Sequence, residues 1–235
     1  MNNKKIIPLT LLAIAAGLCA NAAVITELTW NAAESGNVTS TGGDGIKNLN
    51  KDIGYESTLV SFKVGATEYT SFSTVNSTTA SGQSGVSPYW GMNATKLAAA
   101  DDKLSITDNR LDTGMVNIGD DSEFFFASAP TSLDQVLFIF DIGSADGPLN
   151  VELINGDGGV VGDTITPDFS VSSVADIDFM RIPHDFTANA AVMGLVFSFS
   201  DFGITDASDL SSIVGVRLDS GGGLDPCLIG FAAIP

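Results

Sequence analysis

Gln135-Val136-Leu137-Phe138-Ile139-Phe140-Asp141-Ile142 is the stretch whose reading decides the fold. Six of its eight residues are apolar, most of them β-branched or aromatic, and neither Gly nor Pro interrupts them. The run is too short for an ordinary core helix, and its composition suits a strand covered on both faces. The spacing therefore predicts a central strand over 135–142.

Working outward, the flanking chain repeats the theme at period two or in short solid runs. Val24 to Trp30 reads as an opening strand, with Trp30 in the core. Thr58 to Val64 and Glu68 to Val75 read as a hairpin around Gly65-Ala66. Glu123 to Ala127 carries Phe124, Phe125 and Phe126. Leu149 to Ile154 and Val160 to Ile165 flank Asn155-Gly156-Asp157-Gly158-Gly159, a strong turn signal. Asp176 to Ile182, Ala191 to Phe202, Ser212 to Asp219 and Cys227 to Ile234 complete the set. Only Lys96 to Ala100 and Asp206 to Ser211 suggest single helical turns.

Many short strands with few helices predict an all-β fold, an antiparallel β-sandwich or jelly roll. A parallel sheet would need crossover helices that this pattern lacks. Thr74 to Val86 is small and polar and reads as a long loop within one domain.

Composition agrees. Charged residues are 16% of the chain, against a usual value of about 25%. Gly, Ser, Thr, Asn and Asp take their place, residues that favour turns over helix interiors.

Residues 1–22 have the three-part form of a signal peptide: Lys4 and Lys5, an apolar core from Ile6 to Leu18, and Ala20-Asn21-Ala22 as a small-x-small cleavage site. Cleavage is expected between Ala22 and Ala23, leaving a domain over 23–235 without a transmembrane segment. Of the two cysteines, Cys19 lies in this leader and Cys227 beside Leu228 and Ile229. The mature chain then has no intramolecular disulfide, and Cys227 reads as a buried apolar residue.

Charge narrows the partners. Lys plus Arg number 10 and Asp plus Glu 28. Losing Lys4 and Lys5 with the leader leaves eight cations against 28 carboxylates, a formal −20. Such a field repels phosphate backbones and anionic lipid, which argues against a nucleic-acid partner. It serves solubility by self-repulsion, or it gathers carboxylates for calcium, the one cofactor the composition suggests. The calcium candidates are Asp101, Asp102, Asp120, Asp121 and Asp157. The pairs Asp176/Asp178 and Asp206/Asp209 are further clusters. None has EF-hand spacing, and solvated turns are the plainer reading of all of them.

Catalytic signals are thin. Asp112-Thr113-Gly114 and Asp219-Ser220-Gly221 resemble the paired aspartate triplets of pepsin-like proteases, but Asn109-Arg110-Leu111 departs from the apolar lead-in of that family, and two ordinary strand-end turns are the plainer explanation. His184, the only histidine, sits in Pro183-His184-Asp185, and no Gly-x-Ser-x-Gly elbow or phosphate-binding loop accompanies it. The sequence predicts no catalytic residue.

Tyr89-Trp90-Gly91-Met92-Asn93 is an aromatic-polar cluster of the kind that stacks on a sugar ring. Tyr89, Trp90 and Asn93 are the candidate glycan-binding residues; a loop anchored in the core is the plainer alternative.

The last residues, Asp225-Pro226-Cys227-Leu228-Ile229-Gly230-Phe231-Ala232-Ala233-Ile234-Pro235, resemble the stretch before the sorting tail of bacterial PEP-CTERM (exosortase-dependent) surface proteins. There an Ala-x-Ile-Pro-like segment runs into Glu-Pro-Ser, an apolar helix and a basic cluster; here the sequence stops where that tail would begin. The resemblance covers about ten residues and the leader. It implies a noncatalytic extracellular structural or adhesion protein, secreted or at the cell surface, with extracellular polysaccharide or surface matrix as partner. The alternative is a carbohydrate-binding module-like glycan binder, assisted by calcium.

Overall fold

The structure, a computed structural model, describes residues 22–32, 36–40, 57–78, 111, 118, 122–143, 147–181, 186–219 and 224–234. Alternating and solid apolar runs become strands Ala23–Val24 (β1), Glu27–Ala32 (β2), Gly36–Ser40 (β3), Ser57–Val64 (β4), Thr67–Tyr69 (β5), Ser71–Thr78 (β6) and Ser122–Phe126 (β7). The second half adds Val136–Gly143 (β8), Asn150–Ile154 (β9), Val160–Ile165 (β10), Ala175–Arg181 (β11), Phe186–Ser198 (β12), Gly215–Asp219 (β13) and Pro226–Ala233 (β14). A 3-10 turn, Phe199–Phe202, and a one-turn helix, Ala207–Leu210, are the described helical pieces. No described helix is long and apolar enough to cross a membrane.

The strands form two antiparallel sheets. The larger runs β1-β12-β8-β14-β6-β7-β13-β9-β10, with β11 also on β12; the smaller runs β3-β2-β4-β5. The expected all-β antiparallel sandwich is what the chain forms, with one elaboration. The larger sheet curls so that its β7-β13-β9 wing packs onto the β12-β8-β14 slab, and the smaller sheet covers the slab's other face.

Side-chain alternation along β8 shows this directly. Leu137 and Ile139 face a core shared with Val151, Leu153, Val216, Leu218 and Phe231. Val136, Phe138, Phe140 and Ile142 face a second core with Leu28, Trp30, Leu59 and Phe62. Phe62 of β4 lies 5.3 Å from Phe138 and 5.8 Å from Phe140 between ring centroids. On the opposite face Phe126 of β7 lies 4.3 Å from Phe231. Each such buried ring stabilises the fold by about 1.5–3 kcal/mol relative to exposure.

Three sequence expectations are refined. The hairpin around Gly65-Ala66 is shorter than Thr58–Val64 and Glu68–Val75 suggest: β4, flanked by β2 on one side, pairs on the other with the short β5, and beyond Thr70 the chain crosses into the larger sheet as β6. Tyr69 stays with the smaller sheet, stacked 4.9 Å from Phe62, while Val75 faces the larger core. Ala191–Phe202 is not one strand either. β12 ends at Ser198, and Phe199 and Phe202 turn into the core through the 3-10 turn, closed by Gly203 at φ 71°. Val24–Trp30 divides between the two sheets at Ile25-Thr26. Trp30 and Cys227 are buried, as expected.

Register also sorts the connections. The strand ends flanking 79–121, 144–146, 182–185 and 220–223 all lie at one end of the larger sheet. The start of β1, the end of β14, the Asn155–Gly159 turn and the 3-10 turn lie at the other.

Candidate functional site

The wing has one face in the core and one toward solvent, so its strands alternate. In β13 Val216 and Leu218 are buried while Arg217 and Asp219 point outward; in β9 Val151 and Leu153 alternate with Asn150 and Glu152. Register sets Arg217 directly between Glu123 of β7 and Glu152 of β9. Cross-strand neighbours at that spacing meet side chain to side chain.

Arg217 donates from Nη2 and Nε to Glu123 Oε1, at 2.7 and 3.1 Å. Its Nη1 reaches Glu152 Oε2 at 3.0 Å. The Glu123 hydrogen bond, foremost, holds the guanidinium even more firmly protonated than usual, against the opposing effect of burial. Thr164 of β10 donates to Glu152 Oε1 at 2.8 Å, and the next row adds Thr166 to Asn150 at 2.9 Å and Asn150 to Asp219 at 3.4 Å. The result is a polar ledge across four strands in which one guanidinium faces three carboxylates, Glu123, Glu152 and Asp219. Charge-assisted bonds of this kind fix strand register.

The ledge abuts the turn that carries Asp157. Arg217 Nη2 donates to Gly158 O at 2.8 Å. Within the turn, Asn155 Oδ1 accepts from the amides of Asp157 at 3.0 Å and Gly159 at 2.9 Å, and Gly158 adopts φ 76°. The Asn155 side-chain oxygen is thus taken by the turn's own N–H groups. Asp157 is exposed, on a turn closed by local hydrogen bonds.

Two other carboxylates singled out from sequence have structural partners. Asp206 caps the helix Ala207–Leu210, accepting from Ser208 N at 2.9 Å and Ser208 Oγ at 2.8 Å, and this partner lowers its pKa. Asp219 meets Asn150, as above. Asp176 and Asp178 lie in β11, but their side chains are outside the described set. Tyr89, Trp90, Asn93, Asp101, Asp102, Asp112, Asp120, Asp121 and His184 all lie outside the described residues. Among the described residues no group of three or more His, Cys, Asp or Glu side chains is placed to hold a metal ion.

Sequence reading passed over two features. Arg217 carried a signal, an isolated cation in a strongly acidic chain, but its partners lie 94 and 65 residues away. Asp141 is fully buried in β8, and its Oδ1 accepts from Asp225 N at 2.8 Å. Its signal was an acid inside an otherwise apolar run. The bond ties the end of β8 to the entry of β14, at the end of the sheet where the long connections open.

Leu111 and Ile118 are both fully buried, and Ile118 gives that end another anchor. Leu111 belongs to the core beneath the smaller sheet and Ile118 to the core beneath the wing, and Ile118 N donates to Leu224 O at 3.0 Å. No known family model, no curated protein and no solved structure matches this chain.

Proposed function

We propose that this chain is a noncatalytic extracellular structural or adhesion protein of a bacterial cell surface or exopolysaccharide matrix. One observation carries the reading: the most densely bonded polar side chains of the described surface hold the fold together. Arg217, Glu123 and Glu152 tie three strands together, Asn155 closes the turn of Asp157, and Asp206 caps a helix. A reaction centre would need such groups free to meet a substrate and to change protonation state.

The leader-like first 22 residues, the formal charge of −18, the buried Cys227 and the terminal resemblance to PEP-CTERM surface proteins point the same way. Expression of the full gene in an exporting host, followed by N-terminal sequencing and fractionation, tests it. A chain beginning at Ala23 and recovered from the medium, surface or matrix is the expected result. An uncleaved chain held in the cytoplasm would remove the reading.

A second reading, glycan binding through Tyr89, Trp90 and Asn93 with calcium as an aid, has its own support. Trp30 and Tyr69 are spent in the core, which leaves the Tyr89-Trp90 pair as the aromatic cluster to test for ring stacking. The 79–121 connection that contains it begins and ends beside three others. Retention on immobilised polysaccharide, lost in Trp90→Ala and weakened by chelator, would place this reading first. Equal passage of both proteins through the column would end it.

A further inference from the structure

The bond marked for leader removal, Ala22–Ala23, does not sit on a free arm. Ala23 and Val24 form β1 and pair with Val196 and Leu195 of β12. Ile25 N donates to Gly194 O at 3.0 Å, and the Ile25 side chain, 2% exposed, fills the space that Gly194 leaves open: a Cβ there would lie 2.6 Å from Ile25 Cδ1. Thr26 then binds the other sheet. Its N–H donates to Lys63 O at 2.8 Å, its hydroxyl donates to the same oxygen at 3.2 Å, and it accepts from Gly65 N at 3.1 Å. Ala22 itself is partly buried against the larger core.

The four residues after the bond therefore stitch the two sheets together. A protease must draw several residues on each side of a scissile bond into an extended, accessible form, which a folded segment offers only by opening locally. Here opening would separate β1 from β12, lift Ile25 from the core and break the Thr26 contacts.

We infer that the fold itself occludes its own processing bond, so that the leader is removed only while the chain is unfolded. The step is hydrolysis by a membrane signal peptidase. Water adds its hydroxyl to the Ala22 carbonyl carbon, the C–N bond breaks, and the Ala23 amine takes the proton and becomes the free start of β1. Folding and release thus compete: a chain that closes β1 onto β12 first keeps its leader and stays tethered to the membrane by it. This inference rests on the reading of residues 1–22 as a cleavable leader.

The test uses the 235-residue chain in detergent with purified signal peptidase, beside a synthetic peptide of residues 12–30. The peptide is expected to be cut between Ala22 and Ala23, and the folded precursor at least about tenfold more slowly. Ile25→Asp, which puts a carboxylate where the Ile25 side chain is buried and leaves every slab residue unaltered, is expected to expel β1 and restore fast cutting, and so is wild-type precursor held unfolded in urea. Equal rates for peptide and folded precursor would overturn the inference while leaving the leader reading intact. A peptide that is not cut would remove the leader reading and the inference with it.

Discussion

The slab β12-β8-β14 and the wing β7-β13-β9-β10 belong to one sheet but live in different surroundings. The slab is covered on both faces: β8 from Val136 to Ile142 is buried throughout, as is β14 from Pro226 to Ala232. The wing is covered on one face only, and its outer face carries Glu123, Arg217, Glu152 and Thr164 in hydrogen-bonded sequence across the strands. In the slab, register is set by shape, because the described side chains of β8 and β14 meet packed neighbours on both faces. In the wing it is set partly by charge, because alternate side chains meet water.

The comparison predicts unequal responses to substitution. The largest belongs to Phe138→Ala. Phe138 is fully buried and touches rings from three strands, at 5.3 Å to Phe62, 5.7 Å to Phe72 and 5.8 Å to Phe140. Its loss should cost about 3–5 kcal/mol, read from urea unfolding. A cost near 1 kcal/mol would mean that the smaller sheet does not cover the slab as tightly as the ring distances require.

Glycines sharpen the same contrast. A Cβ at Gly230, in the slab, would lie 2.7 Å from Ser73 O and 2.9 Å from Phe138 Cζ; at Gly156, in the wing's turn, it would meet nothing within 4 Å. Gly230→Ala should therefore destabilise by about 1–3 kcal/mol, and Gly156→Ala should leave the unfolding midpoint nearly unchanged. If the two variants melt together, the slab has room that its packing does not suggest.

This contrast also explains what could be read in advance. The solid run at 135–142 announced a doubly covered strand because no solvent face remained to demand polar residues, and the Asn155–Gly159 turn announced its hairpin by local chemistry alone. The curl of the larger sheet was not legible, since nothing local to β7 or β14 says that Phe126 will meet Phe231. The crossing at Thr70 was hidden for a related reason. β5 and β6 share one pattern of alternation, and only the partners of Tyr69 and Val75 separate them. Arg217 shows the limit for sites: its type could be noticed, but its neighbours are set by strand order, which composition and periodicity do not encode. Asp141 stood in plain sight within the deciding run, yet its role depends on Asp225, which reaches it through the tertiary fold.

Arg217→Met probes the wing directly. It keeps most of the aliphatic bulk and leaves Glu123 and Glu152 on either side of β13 without their shared cation. All three side chains are only about one-fifth exposed, at 19%, 23% and 20%, so solvent screens them incompletely. The expected loss is about 1–2 kcal/mol, well below that of Phe138→Ala. Adding Glu123→Gln should recover part of it by removing one of two like charges, and a double-mutant cycle reads the coupling. A loss equal to that of Phe138→Ala would invert the comparison, making charge rather than packing the dominant restraint.

The smallest effect concerns acid. Ser170 holds the Asp168 carboxyl, and Ser208 the Asp206 carboxyl, below the usual carboxylate range. Both hydrogen-bond patterns favour the ionised form in the folded state. Their contribution is therefore complete above the unfolded-state pKa and disappears as the pH falls through the lower folded-state value. Asn at either position can still accept the turn or cap bond but cannot titrate. The double variant Asp168→Asn/Asp206→Asn should thus melt close to wild type at neutral pH, and its melting temperature should fall less steeply below about pH 4. Both carboxyls lie at turns on the solvent side, where screening keeps such terms small, so only the slope of the acid limb should change. Identical limbs for the two proteins would show that these caps act through geometry alone, and that acid unfolding begins elsewhere in the molecule.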